Sequence, residues 1–180
     1  MSPFKIRRAT VADAADLAQL AAETFAETFG KANTAEDLDA HLKSAYGVPQ
    51  QAAEIQDPER LTLLAFNAGI LVGFAQVRRK ESPGCVVGEA PVELQRLYLA
   101  SSAQGSGLAS DLMKCARQAA QELGGTHLWL GVWEHNPRAI AFYRKAGFVE
   151  VGSHTFVVGS DAQRDLVLVT PLSTPAVSAA

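Results

Sequence analysis

Residues 101–120 read SSAQGSGLASDLMKCARQAA, and the reading of this stretch decides the fold. Leu108, Leu112, Ala116, Ala119 and Leu123 recur at the spacing of one helical face, while Asp111, Lys114, Arg117 and Gln121 fall elsewhere, and Gly124-Gly125 ends the run. The preceding segment VELQRLYLA (92–100) has the composition of a strand. A strand, a glycine turn and a helix in that order put unpaired main-chain N–H groups and the positive end of a helix dipole at one point, where phosphate is the usual guest. Gly105 and Gly107 suit such a turn because a Cβ would hold a phosphate oxygen away from the amides. No Lys-Ser/Thr follows the glycines, which excludes a Walker A loop, and the third position after Gly107 is Ser110, which excludes the full dinucleotide fingerprint.

Reading outward toward the carboxyl terminus, THLWLGV (126–132) is a strand with Leu128, Leu130 and Val132 on one face and His127 and Trp129 on the other. Asn136 caps a helix with Pro137 in its first turn, and Gly147 closes it. FVEVGSHTFVVG and AQRDLVLVTPL supply two final strands. Toward the amino terminus, LTLLAFNAGILVGFAQVRR (61–79) forms two strands joined at Asn67-Ala68-Gly69, and ESPGCVVGEAP is a loop. FKIRRAT is a short strand before a helix over VADAADLAQLAAETFAETFG. A second helix starts at Asn33 or Thr34, carries Leu38, Leu42, Ala45 and Tyr46 on its apolar face, and is stopped by Gly47 and Pro49. The order is strand, two helices, a three-strand meander, helix, strand, helix and two strands. It predicts one mixed α/β domain over residues 1–172, followed by a small polar tail, 173–180, expected to be disordered.

With 180 residues, 48% of them hydrophobic, the chain can build one substantial core. A net charge of -3, with no basic cluster larger than Arg78-Arg79-Lys80, argues against nucleic acid as a partner. No segment reaches the roughly 18 to 20 apolar residues of a membrane span, so a cytoplasmic protein is expected. Cys85 and Cys115 make no disulfide framework, and His41, His127, His135 and His154 lie at no ligand spacing, so no metal is expected.

LQRLYL, SSAQGSGLASDLM and GVWEHNPRAIAFYRKAGF together resemble the GNAT superfamily of acyl-CoA N-acetyltransferases, from the first strand to Leu172. The resemblance implies a GNAT fold, with a central mixed, mostly antiparallel sheet of about seven strands flanked by helices. It implies that Gln104, Gly105, Ser106, Gly107 and Leu108 bind the pyrophosphate of acetyl-CoA as co-substrate, with Ala109 also among the cofactor-binding residues. The family pattern opens with Arg or Gln where this chain has Ser102, which implies either that a charged phosphate contact is missing and cofactor affinity is modest, or that another residue supplies it. ETFAETFG, NTAEDLDAHL, PVELQRLYL and SHTFVVGSDAQRDL further resemble the PaiA-type polyamine branch.

Acetyl transfer to an amine needs a neutral nitrogen, a polarised carbonyl and a protonated leaving thiolate. Alkyl ammonium groups titrate at about 10.4, so a base is required, and Glu93 on the strand before the glycine turn is the candidate. The resemblance places main-chain N–H groups around Leu97, Tyr98 and Leu99 against the thioester and pantetheine arm. It places Tyr143 as general acid toward the thiolate, with Asn136, Ala139 and Phe142 beside the cofactor. Glu23, Glu27, Phe29 and Glu36 in the first helices, with Trp133, His154 and Phe156, are the candidate acceptor pocket, since a carboxylate cluster suits a cation. The bland alternatives are packing for Tyr143, a surface carboxylate for Glu93, capping alone for Asn136 and a solvated face for the acidic helices. The reading is an acetyltransferase for a primary amine of a small molecule, polyamines included, acting by direct transfer. A homodimer is plausible from family habit, and the rivals are peptide or protein N-terminal acetylation and a non-catalytic acyl-CoA sensor.

Overall fold

The structure is a computed structural model that describes residues 3–172, so the tail at 173–180 lies outside the described residues. The chain runs β1 (Phe4–Arg8), α1 (Ala14–Phe29), α2 (Ala35–Ala45), α3 (Val48–Gln56), β2 (Arg60–Asn67), β3 (Ile70–Arg78), β4 (Pro91–Leu99), α4 (Leu108–Glu122), β5 (His127–Trp133), α5 (Pro137–Lys145), β6 (Val149–Val158) and β7 (Asp161–Pro171). The helix α3 corrects the sequence reading, which took Gly47 and Pro49 as a stop. Gly47 is instead the N-cap of α3, and Pro49 sits in its first turn, where a missing N–H costs no helical hydrogen bond.

Seven strands form one sheet in the order β1-β2-β3-β4-β5-β7-β6, antiparallel throughout except for β4 against β5. The β2–β3 hairpin turns through Ala68 and Gly69, both left-handed at φ 47° and 84°. On one face of the sheet, Leu108, Leu112 and Ala116 of α4 pack on Leu94, Leu128, Leu130 and Leu168. On the other, Leu17, Ala21 and Phe25 of α1 pack on Leu64 and Phe74. Each fully buried leucine or phenylalanine contributes about 1.5–3 kcal/mol, so the two cores clamp the sheet between helical layers. Among the described residues no helix is long and apolar enough to cross a membrane.

Two irregularities along β4 set the shape of the sheet at its centre. Val77 of β3 pairs with Leu94 and Gln76 with Arg96, so Gln95 is an extra residue, a bulge that resets which face each later side chain occupies. Leu94 therefore faces α4, but Arg96 and Tyr98 face α1, and Leu97 and Leu99 return to the α4 side. The parallel pairing of β4 with β5 also ends early, at Glu93 opposite Trp129, while β5 stays paired with β7 as far as Trp133 and Asp165. Beyond Glu93 the two strands part, and the sheet opens.

Candidate active site

The gap between the parting strands holds a cavity of about 710 Å³, lined on one side by Leu94 to Leu99 and on the other by Gly131, Val132 and Trp133. The Ala100 N–H donates to Val72 on β3, so strand alternation turns the N–H groups of Leu97 and Leu99 the other way, into the gap. An edge of main chain that lacks a strand partner leaves donors for a guest.

At one end of the gap lies the glycine turn. Gly105 and Gly107 adopt φ of 78° and 89°, and a Cβ on either would meet open space. Glycine is therefore demanded by the left-handed backbone, not by crowding within the protein. The amides of Gly105, Ser106 and Gly107 donate to no group among the described residues. Leu108 does not line the cavity: its side chain is fully buried beneath the sheet, and its N–H donates to Ser106 Oγ at 3.3 Å. Ser106 also donates to the Ala103 carbonyl and stays outside the lining, so its side chain braces the turn. Arg138 is a cation beside the turn. Its Nη1 donates to Gln104 Oε1 at 2.6 Å, which holds a guanidinium beside the turn.

Leu97, Tyr98, Leu99, Gln104, Gly105, Gly107, Ala109, Asn136, Ala139, Phe142 and Tyr143 all line the cavity. Asn136 caps α5 by accepting from the Ala139 N–H at 3.1 Å. Tyr143 packs edge-on against Phe142 and Phe148, and burial raises its phenol well above the ordinary 10. It therefore keeps its proton at neutral pH.

The other end of the cavity is aromatic and acidic. Glu27, Phe29, Trp133 and Phe156 of the predicted acceptor residues line it, together with Thr24, Thr28 and Asp165. Phe29 and Trp133 pack with centroids 5.5 Å apart. Glu23 and Glu36 do not line it: Glu23 accepts from Gln19 on the exposed side of α1, and Glu36 sits exposed in the first turn of α2. His154 lies behind the wall, edge-on to Trp129.

Glu93, the base expected from the sequence, is not among the residues that line the cavity. It lies where the strands are still joined, and its carboxylate is ion-paired with Arg78. Sequence position alone does not reveal the arginine that occupies it. Arg96 likewise went unnoticed in the sequence. It lines the cavity while Nη1 donates to Glu54 of α3 at 2.5 Å and to Gln76 at 2.7 Å, with its guanidinium 4.8 Å from the Tyr46 ring centroid. This buried cluster pins α3 beneath the site. Asp165 was missed too, because in AQRDLVLV it resembles any polar residue of an alternating strand.

Residues 16–148 match the family described as "Acetyltransferase (GNAT) family". An uncharacterized N-acetyltransferase of Lactobacillus delbrueckii subsp. lactis is 32% identical over 168 residues, covering 93% of this chain and 97% of that protein. Another from Mycobacterium bovis is 36% identical over 164 residues, covering 89% and 98%. The crystal structure of the PaiA N-acetyltransferase from Thermoplasma acidophilum in complex with coenzyme A superposes with a TM-score of 0.74 at 21% identity, covering 93% of this chain and 98% of that one. At that identity the likeness speaks for the fold.

Proposed function

The chain belongs to the acetyltransferase (GNAT) family, and from that premise we propose that it acetylates a primary amine of a small molecule, polyamines among the candidates, by direct transfer from acetyl-CoA. The observation that carries this reading is the continuous cavity that joins the glycine turn to an end lined by Glu27, Asp165, Phe29, Trp133 and Phe156. Carboxylates with aromatic faces attract an ammonium group by charge and by cation–π contact.

The residues at the turn fit the pyrophosphate of acetyl-CoA. Three undonated amides, of the left-handed Gly105 and Gly107 and of Ser106 between them, and the Arg138 guanidinium supply hydrogen bonds and positive charge without a Walker lysine. When bound, the co-substrate supplies an activated acetyl thioester. The Leu97 and Leu99 N–H groups, held in the sheet, would hold the thioester and pantetheine arm as hydrogen-bond donors, and a fixed donor costs no reorganisation as charge builds. Tyr143 holds a proton at its hydroxyl for the departing sulfur. The wall of Phe142, Leu94 and Val132 keeps water from the reacting atoms.

The test is release of free CoA across polyamines, amino acids, aminoglycosides and short peptides, with CoA binding measured in parallel. Turnover with small primary amines is the expected result. Exclusive turnover of peptide amino termini replaces the acceptor class, and tight binding with no turnover on any amine overturns the reading in favour of a sensor.

A further inference from the structure

Strand β7 brings to the cavity a carboxylate that has no partner. Asp165 is only 7% exposed, yet its Oδ1 makes no hydrogen bond. Buried carboxylate oxygens normally accept hydrogen bonds, and Asp165, a residue of the cavity wall, lacks the donor that such a group ordinarily has within the chain. The register shows how the place is made. Asp165 stands between Trp133 of β5 and His154 of β6. On the same face of β5 as Trp133, the side chain is missing at Gly131. A Cβ there would lie 2.6 Å from His154 Nε2 and 3.2 Å from Asp165 Oδ2. His154 Nε2 is also buried without a partner. Glycine thus leaves the room that His154 Nε2 and Asp165 Oδ2 occupy beside β5, and Gly131 and Asp165 both belong to the cavity wall.

We propose that Asp165 is the proton acceptor for the amine, its carboxylate pairing with the incoming ammonium and removing the proton that masks the nitrogen lone pair. This assignment rests on the reading of the protein as an amine acetyltransferase. An N–H bond breaks toward Asp165, and its electron pair stays on nitrogen to form the C–N bond to the acetyl carbon. The C–S bond breaks with its pair on sulfur, which takes a proton from Tyr143. The second nitrogen proton restores the phenol. The proton on Asp165 passes to solvent, so each ammonium and thioester yield one amide, one thiol and one proton.

The surroundings suit that task. Burial, and then the charge of Glu134, raise Asp165 from 3.8 to about 6. The same desolvation lowers an ammonium placed beside it, so the two affinities for the proton converge. Glu27 on α1 is the other carboxylate of the wall. Arg96 and Tyr98 on β4, His135 after β5 and Tyr143 on α5 also line it. His154 faces Asp165 from β6, and Glu134 is held by Arg164 at 3.0 Å.

The test compares the full-length wild type with Asp165→Asn and Glu27→Gln on an accepted amine. Wild-type kcat/KM is expected to fall on the acid side with a midpoint near pH 6. In Asp165→Asn it is expected to drop by about 100-fold or more at neutral pH and to recover as pH approaches the pKa of the amine, with acetyl-CoA affinity kept. Calorimetry of amine binding without acetyl-CoA, in buffers of different ionisation heat, gives a second readout. At pH 6 the ammonium expels about half a proton from wild type and none from Asp165→Asn. Glu27→Gln is expected to weaken amine binding and keep the acid limb. Activity and proton release in Asp165→Asn equal to wild type overturn the assignment, as does an acid limb that disappears in Glu27→Gln instead. Failure of wild type to acetylate any amine overturns the functional reading beneath it. A wild-type profile without the acid limb overturns this assignment even if the variant does not fold.

Discussion

Replacing Glu54 with glutamine tests whether the buried cluster under β4 holds the site together. Glu54 and Arg96 have side chains 6% and 8% exposed, with Nη1 and Oε2 2.5 Å apart, and Arg60 approaches the same carboxylate at 3.5 Å. Burial, the largest single influence, would raise the Glu54 carboxyl, but the Arg96 charge together with hydrogen bonds from Arg96, Gln50 and Gln76 outweighs it and leaves the group below its ordinary 4.5. Glutamine keeps the shape and removes the charge, leaving the Arg96 guanidinium buried without its counter-ion. Removing one partner of such a pair costs about 3–5 kcal/mol. For a chain of this size that corresponds to a fall in Tm of roughly 6–20 °C. Thermal and urea unfolding monitored by circular dichroism measure it. Because the folded pKa is depressed, the stabilisation is present above the ordinary carboxylate range and disappears as pH falls through the folded value. The gap between variant and wild type is therefore largest near neutrality and closes on acidification. A loss below about 1 kcal/mol at pH 7, the worth of an exposed pair, refutes the argument. Replacing Glu54 and Arg96 together with methionine should recover most of the loss.

Arg138→Ala should weaken acetyl-CoA binding by about tenfold and flatten its dependence on salt, because a charge-assisted contact at the glycine turn is removed; unchanged affinity in a binding titration rules out the phosphate role. Tyr143→Phe keeps the packing against Phe142 and Phe148 and should lower kcat by about 100-fold with acetyl-CoA affinity retained; equal turnover excludes the phenol as the proton donor. Glu93→Gln breaks the pair with Arg78, so it should destabilise by about 1–3 kcal/mol and leave the pH profile of kcat/KM in place; loss of the acid limb would restore Glu93 as the base. Gly107→Ala forces a methyl-bearing residue to φ near 89° and should cost about 1–2 kcal/mol of stability, read from the unfolding midpoint; a variant as stable as wild type contradicts the strain argument.

Much of the architecture is legible from periodicity. The apolar stripe of α4, the glycine turn before it, the hairpin at Ala68-Gly69 and the Asn136 cap follow from local rules, because each is written within a few consecutive residues. The helix α3 escaped for the same reason that it forms: Gly47 and Pro49 serve as well to begin a helix as to end one, and only the packing on α1 and β2 decides. Cavity residues close to those local signals, such as Leu97, Leu99, Gly105 and Asn136, are readable in advance.

The carboxylates are different. Glu93 and Asp165 each stand on a strand among apolar neighbours, and nothing local distinguishes them. Glu93 is paired because Arg78 comes alongside on β3, while Asp165, packed beside Gly131 34 positions away and opposite His154, has an Oδ1 without a hydrogen-bond partner. By itself, then, the sequence determined the strand, the glycine turn and the helix that follows it, since short-range spacing sets backbone conformation. Only the tertiary structure decided which acid is free to accept a proton, because the charge and solvation of a side chain depend on neighbours that the chain brings together from far apart.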